Sequence, residues 1–143
     1  MNIAFYIESL NEDKRIEVIN QEIARNKEVI ENASIFYNNI GPLSATIDAG
    51  VFHVSDMWSF EGVLVIDNIQ NLKKAKKIVN KFKCWYYYDK QIGDNLIDII
   101  NLAGEADKVI ANGEIMANEY ERITNTRPDE IIENYQNISR VSL

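Results

Sequence analysis

The fold of this 143-residue chain is indicated most clearly by the stretch Gly62-Val63-Leu64-Val65-Ile66-Asp67-Asn68. Its four consecutive aliphatic residues predict a strand that is buried on both faces, as strands of parallel sheets are. Asn68 can cap the helix that follows, because its side-chain oxygen can accept a bond from a free N–H group of the first turn. The inner face of that helix is predicted to carry Leu72, Ala75, Ile78 or Val79, and Phe82.

The same alternation of strand and helix extends in both directions from this stretch. Further strands are predicted at residues 2–8, 33–37, 51–54, 84–88, 107–111 and 131–132. Helices are predicted after the Ser9-x-x-Glu12 capping box, over residues 95–103 with Leu96, Ile97, Ile99 and Ile100 facing inward, and after Asn112. The pattern is typical of an α/β protein, and we predict a single Rossmann-like three-layer domain over residues 1–143 with a mainly parallel sheet. Residues 135–143 are predicted to be a polar tail.

Composition excludes several classes of function. A net charge of −7 argues against a protein that follows nucleic-acid phosphates, and the six lysines between Lys73 and Lys83 are interpreted as the solvated face of a helix. The single cysteine, Cys84, has no disulfide partner, and no Cys/His cluster is available for zinc. No apolar run has the length of a membrane span, and no signal sequence is recognised. We therefore expect a cytoplasmic protein without nucleic acid, metal or cofactor.

Polar side chains follow the predicted strands at their carboxyl ends, where open parallel sheets bind ligands. The turn after the first strand contains no glycine, so its backbone cannot approach a pyrophosphate closely, and a dinucleotide enzyme is not expected. Tyr88 is the aromatic residue of its strand nearest this edge and is expected to contact a ligand there. The predicted ligand-binding residues are Glu8, Ser9, Asn38, Asn39, Asp67, Asp89 and Asn112.

His53 is the only histidine and has two interpretations. It could act as a general base whose ring is oriented by Asp48 or Asp56, or it could be a hydrogen-bonded residue at the end of a strand. A metal site formed by the two aspartates is a further alternative. A lone histidine has no partner spacing that decides between these roles.

The last third of the chain contains the segments EADKVIANGE at residues 105–114 and RPDEIIEN at residues 127–134. These segments resemble motifs of the first domain of GT-B glycosyltransferases. Residues 105–114, EADKVIANGE, are similar to that family's A-D-x-V-I-x-x-S segment, in which a strand leads into a helix. Residues 127–134, RPDEIIEN, are similar to its K-P-x-x-V-I-P-N-G segment, which closes the first domain. Glu133 and Tyr135 replace the proline and glycine of that second motif, and the loop at residues 8–11 lacks the family's glycines.

The resemblance implies a glycosyltransferase-like domain that binds a sugar or acceptor. It further implies that the donor site lies in a second glycosyltransferase-like domain or chain, without which the domain does not transfer sugar. An alternative is a non-enzymatic protein-interaction module on the same scaffold. An uncovered apolar face would mark an interface, which is predicted in the loops at the carboxyl ends of the strands, chiefly residues 38–43 and 57–60. Trp58 and Phe60 are the predicted interface residues, and a homodimer is one expected assembly.

Overall fold

The computed structural model describes residues 1–78, 81–91 and 93–143 and contains one seven-stranded sheet in which every strand pairing is parallel. The strands are β1 (Asn2–Ser9), β2 (Asn32–Asn39), β3 (Gly50–His53), β4 (Glu61–Ile66), β5 (Lys81–Tyr88), β6 (Lys108–Ala111) and β7 (Glu130–Ile131). Their spatial order is β3-β2-β1-β4-β5-β6-β7, so the direction of strand addition reverses between β1 and β4. This order confirms the predicted Rossmann-like α/β class.

Helices connect most of these strands and divide between the two faces of the sheet. They are α1 (Asp13–Arg25), α2 (Ile69–Lys76), α3 (Leu96–Ile100), α4 (Leu102–Glu105) and α5 (Gly113–Thr124), with 3-10 helices at Val54–Ser59, Glu133–Tyr135 and Ile138–Arg140. α1 and the two C-terminal 3-10 helices cover one face, which we call the α1 face. α2 to α5 and the 3-10 helix Val54–Ser59 cover the other, which we call the α2 face.

The central strands are buried on both faces, as their apolar runs predict. On β1, Phe5 packs on the α1 face and Tyr6 on the α2 face, and on β5 Trp85 and Tyr86 divide in the same way. The thiol of Cys84 lies in the core, and this burial raises its pKa to about 11. A thiol that stays protonated at neutral pH and out of contact with solvent is a poor nucleophile.

Two predicted helix boundaries are wrong. Ser9 belongs to β1, and α1 begins after Glu12, which makes no side-chain cap; the capping box is therefore absent. The second helix is shorter than predicted, so Phe82 lies on β5 instead of on the helix face, and Lys81 and Lys83 are strand residues instead of helix residues. Val79, the predicted alternative to Ile78, lies outside the described residues. The predicted cap is present, because Asn68 Oδ1 accepts a 3.0 Å bond from Asn71 N.

The predicted inner face of the third helix is largely wrong. Of its four aliphatic residues only Ile99 is buried, whereas Leu96, Ile97 and Ile100 are more than half exposed. The physical reason is that α3 ends after five residues, and a separate helix, α4, then turns Leu102 into the core.

Residues 135–143, predicted as a polar tail, form part of the folded domain. Ile138 is fully buried on the α1 face, and the fully buried carboxylate of Glu22 on α1 binds the chain on both sides of it. Glu22 accepts bonds from Asn137 N (2.7 Å), Ser139 N (3.1 Å) and Ser139 Oγ (2.7 Å). Asn26, at the end of α1, also donates to Asn137 and accepts from Arg140. The segment is therefore attached to α1 by bonds to several side chains, of which Glu22 makes three.

Replacing Glu22 with glutamine tests this attachment. Glutamine keeps one acceptor oxygen but turns an amide donor toward groups that also donate, so we expect Glu22→Gln to lower the free energy of unfolding by about 2 kcal/mol. The measurement is urea denaturation, with the exposed Glu17→Gln on the same helix as control, expected within about 0.5 kcal/mol of the unsubstituted protein. Equal midpoints for both variants would contradict the attachment.

Candidate functional site

A cleft of about 540 Å³ opens at the carboxyl edge of the sheet, beside the point where strand order reverses. We call it the carboxyl-edge cleft. It lies between the first turns of α1, the carboxyl ends of β4, β5 and β6, and residues 134–135. This is the position where open α/β sheets bind ligands, because the loops on either side of the reversal diverge there. Its polar lining includes Glu12, Arg15, Asp67, Tyr87, Asp89 and Asn112.

Asp67 lies in the wall of the cleft with only 5% of its surface exposed. Its carboxylate pairs with the guanidinium of Arg15 and accepts a long 3.4 Å bond from the hydroxyl of Tyr135. Arg15 also lies 3.7 Å from Glu12, so one cation serves two carboxylates. A buried carboxylate is tolerated when it is paired and hydrogen-bonded in this way.

Asn112 joins three parts of the cleft. Its Nδ2 donates to Asp89 at 3.1 Å, and its Oδ1 accepts from Asn134 N at 3.1 Å. The hydroxyl of Tyr87 lies 3.0 Å from the same oxygen, donates to the carbonyl of Ile132, and accepts from Tyr135 N at 3.3 Å. The ends of β5 and β6 and the C-terminal segment are thereby fixed relative to one another.

Tyr135 occupies the cleft in an unusual backbone conformation. Its φ is +59°, and Asn134 before it and Asn137 after it have φ values of +48° and +62°. A left-handed conformation costs a bulky L-residue about 1–2 kcal/mol, so the surrounding contacts must hold it. The ring centroid of Tyr135 lies 4.4 Å from that of Tyr87 and 5.3 Å from that of Phe5. Packing of this aromatic ring in the core therefore offsets the local strain.

The structure brings three of the predicted ligand-binding residues together. Asp67, Asp89 and Asn112 line the carboxyl-edge cleft. Ser9, also predicted to bind ligand, ends β1 at the same edge of the sheet and is not among the lining residues.

Glu8, Asn38 and Asn39 form a separate network at the ends of β1 and β2. Glu8 accepts from Asn38 at 2.8 Å and from Asn39 at 3.2 Å. Asn38 also donates to Asn71 Oδ1 of α2 at 2.9 Å and accepts a 2.6 Å bond from the hydroxyl of Tyr6. These side chains connect β1, β2 and α2, and most of their polar atoms are used in doing so.

His53 ends β3, the edge strand, and caps the following 3-10 helix. Its Nδ1 accepts a 3.2 Å bond from Ser55 N and lies 2.9 Å from Ser55 Oγ, while its ring packs edge-on against Tyr37. Asp56 lies within the 3-10 helix that His53 caps, and the backbone N–H of Asp48 donates to Asn20 of α1. This geometry matches the hydrogen-bonded histidine at a strand end, and the role as general base stays a hypothesis.

Trp58 and Phe60, the predicted interface residues, differ in exposure. Trp58 is 70% exposed on the 3-10 helix Val54–Ser59, whereas Phe60 is half-buried and packs against Phe36 and Phe82. We expected both at the carboxyl edge, but Phe60 directly precedes β4 and so lies at the amino edge. The connection from β3 returns along the α2 face before β4 begins, which carries Phe60 away from the predicted edge.

Of the two tyrosines that end β5, Tyr87 lines the cleft instead of the expected Tyr88. Strand residues alternate between faces, so Tyr88 points to the α2 face, where it is buried against Tyr120. Sequence reasoning also missed Arg15 and Tyr135. Arg15 follows the first strand by less than two helical turns, a spacing that could have indicated it, but the pairing with Asp67 spans 52 residues.

The lining can bind hydroxyl groups by hydrogen bonding. It contains four carboxylates and three side-chain amides, and only Lys14 and Arg15 among the lining residues are cationic. In the described part of the chain, no group of three or more His, Cys, Asp or Glu residues is arranged to hold a metal ion. No helix in the same residues has the length and hydropathy of a membrane span. Comparison of the chain with protein-family models, curated proteins and solved structures finds no match.

Buried tyrosines make the fold sensitive to alkali. Burial raises the pKa of Tyr6 and of Tyr88 to about 12, and raises the pKa values of Tyr86, Tyr87 and Tyr135 further. An unfolded tyrosine titrates near pH 10, so the folded state holds these protons more tightly. The stabilisation is complete below about pH 10 and is lost as pH rises toward 12.

We therefore expect the urea midpoint to stay level between pH 7 and 9 and to fall steadily above about pH 10. Tyrosinate absorbance should rise together with loss of structure. Release of most tyrosine protons at pH 10 from protein that retains its native circular dichroism would contradict the burial of these phenols.

Proposed function

We propose that this chain is a glycosyltransferase-like domain whose carboxyl-edge cleft binds a sugar or a sugar-bearing acceptor. The donor site of such an enzyme would lie outside these 143 residues, in a second domain or a second chain. Alone, the domain binds its ligand without transferring sugar. A cytoplasmic location belongs to the same proposal and fits the buried, reduced Cys84.

The cleft itself carries this proposal. It combines a volume of about 540 Å³ with paired carboxylates and amides fixed by a hydrogen-bond network, at the strand-order reversal of a parallel sheet. Sugar hydroxyls both donate and accept, so they can satisfy carboxylate and amide groups at once. Small-molecule sites of this size are common, and they hold a few oriented polar groups in a concave surface.

The backbone at Tyr135 supports the resemblance on which the proposal rests. Tyr135 stands where the GT-B segment has glycine, and it adopts the left-handed φ of +59° that glycine favours. The loop at residues 8–11 has no glycine and begins with an acidic side chain, which fits a domain that binds an uncharged acceptor rather than a phosphate.

A non-enzymatic interaction module is the second candidate function, and Trp58 is the observation that favours it. An exposed tryptophan is a frequent anchor of protein interfaces. Its partner would be a second copy of the chain, whereas a glycosyltransferase-like chain that supplies the donor site belongs to the first proposal.

Binding to the cleft is tested by titrating the isotopically labelled chain with glucose, galactose, mannose and N-acetylglucosamine. We expect saturable shifts in the backbone amide signals of Asp89, Asn112 and Asn134. Asp89→Ala should weaken binding about tenfold, the loss of a charged hydrogen-bond acceptor. The exposed Asp48→Ala is the matched control and should bind normally.

The proposal also predicts no nucleotide-sugar hydrolysis or transfer by this chain alone. Robust turnover by the purified chain, abolished by His53→Ala, would contradict it and would identify His53 as the base. Absence of sugar-dependent shifts at the three cleft residues for every sugar tested would refute the binding role.

Self-association is tested separately by sedimentation at micromolar concentration. We expect a dimer that Trp58→Ala converts to a monomer, because truncating a buried interface tryptophan removes a large part of the contact energy. The comparably exposed Ile115→Ala, on α5, is the control. A monomer whose sedimentation is unchanged by Trp58→Ala would exclude both the homodimer and its anchor.

A further inference from the structure

A second cleft, lined by aromatic rings, lies at the amino edge of the sheet on the α2 face. It arises because β3 returns to β4 through only the 3-10 helix Val54–Ser59, while α2 contacts β1, β4 and β5. The α2 face of β2 and β3 is therefore only partly covered. The resulting cleft has a volume of about 450 Å³, and we call it the aromatic cleft.

Three phenylalanine rings line this cleft. Phe36 is buried, and its centroid lies 5.9 Å from that of Phe52 and 5.7 Å from that of Phe60. Phe52 keeps 44% of its surface exposed although it belongs to this cluster. Its ring lies across Gly50, where an added Cβ would come within 2.9 Å of Phe52 Cε2. The absence of a side chain at residue 50 thus allows the ring to occupy this position.

Polar groups surround the rings. Asn2 and Asn32, which are joined by a 3.1 Å bond, lie on adjacent strands, and Glu61 begins β4 and pairs with Lys81 at 3.1 Å. The rest of the polar lining consists of Ser34, Asp56 and Ser59. No cationic side chain is among the described lining residues.

This combination selects the class of ligand. The lining holds two carboxylates and no cationic side chain, which disfavours an anion. The three rings are bordered by amides and hydroxyls that can bond to a polar rim around an apolar ligand face. A sugar ring has a face of C–H groups that can pack on an aromatic ring and a rim of hydroxyls that can bond to amides and carboxylates. We propose that the aromatic cleft is a second binding site, for an uncharged saccharide that stacks on Phe52 and bonds to the Asn2–Asn32 pair.

This site is independent of the carboxyl-edge cleft, because it lies at the opposite edge and on the opposite face of the sheet. It would hold a saccharide away from the site proposed for the acceptor. The proposal rests on the aromatic rings and the polar groups of this cleft and does not require that the chain take part in glycosyl transfer.

The experiment titrates the isotopically labelled chain with methyl β-glucopyranoside, cellobiose and maltose. We expect saturable shifts in the amide signals of residues 32–36 and 50–61, separate from those of Asp89, Asn112 and Asn134. Phe52→Ala should weaken this binding about tenfold by removing the stacking ring. Phe52→Trp should preserve it, and Gly50→Ala should weaken it by displacing the ring without deleting it.

Ile115→Ala, on an exposed position of α5, is the control and should bind normally. Native spectra of each variant in the absence of sugar separate loss of binding from loss of fold. Shifts confined to the carboxyl-edge cleft would overturn the second site and leave the proposed function intact. Shifts at the aromatic cleft that persist unchanged in Phe52→Ala would overturn the stacking of the saccharide on Phe52. A response of the same amide signals to benzylamine but to no saccharide would overturn the proposal that the ligand is a saccharide.

Discussion

The attachment of the C-terminal segment to α1 is the interaction on which the carboxyl-edge cleft depends. Glu22 is fully buried and accepts three bonds from residues 137 and 139, which secures Ile138 on the α1 face. That attachment positions Tyr135 beside Asp67 and Asn134 beside Asn112. Without it, one wall of the cleft would be missing and the Asp67–Arg15 pair would be more open to solvent.

The C-terminal segment also shows how strain and packing are balanced at a site. Asn134, Tyr135 and Asn137, at the start of this segment, have left-handed backbone conformations, and Tyr135 is the bulky one. Tertiary contacts compensate for this cost, since its ring is buried between Phe5 and Tyr87 and its hydroxyl reaches Asp67. The interaction between residues more than sixty positions apart therefore fixes a conformation that local sequence disfavours.

The two clefts arise from different features of one topology. Reversal of strand order between β1 and β4 separates the loops at the carboxyl edge and creates the polar cleft. The short return from β3 to β4 leaves the α2 face of the sheet margin without a long helix and creates the aromatic cleft. The carboxyl-edge cleft suits hydrogen bonding and the aromatic cleft suits stacking, so we assign a separate saccharide to each cleft, held by different contacts.

The sequence alone predicted the parallel sheet, its strands and the cap at Asn68, because these follow from short-range patterns of residues. The sequence also predicted that Asp67, Asp89 and Asn112 lie at one edge, because parallel strands end together. It did not determine the termination of α3, which exposes Leu96, Ile97 and Ile100, since that depends on where Leu102 can enter the core. Tertiary packing brings Arg15, Tyr87 and Tyr135 into one cleft. There they meet Asp67, Asp89 and Asn112, which the sequence had placed at this edge. These partners are far apart in the chain, and their approach depends on the packing of a C-terminal segment whose composition resembles that of a solvated tail.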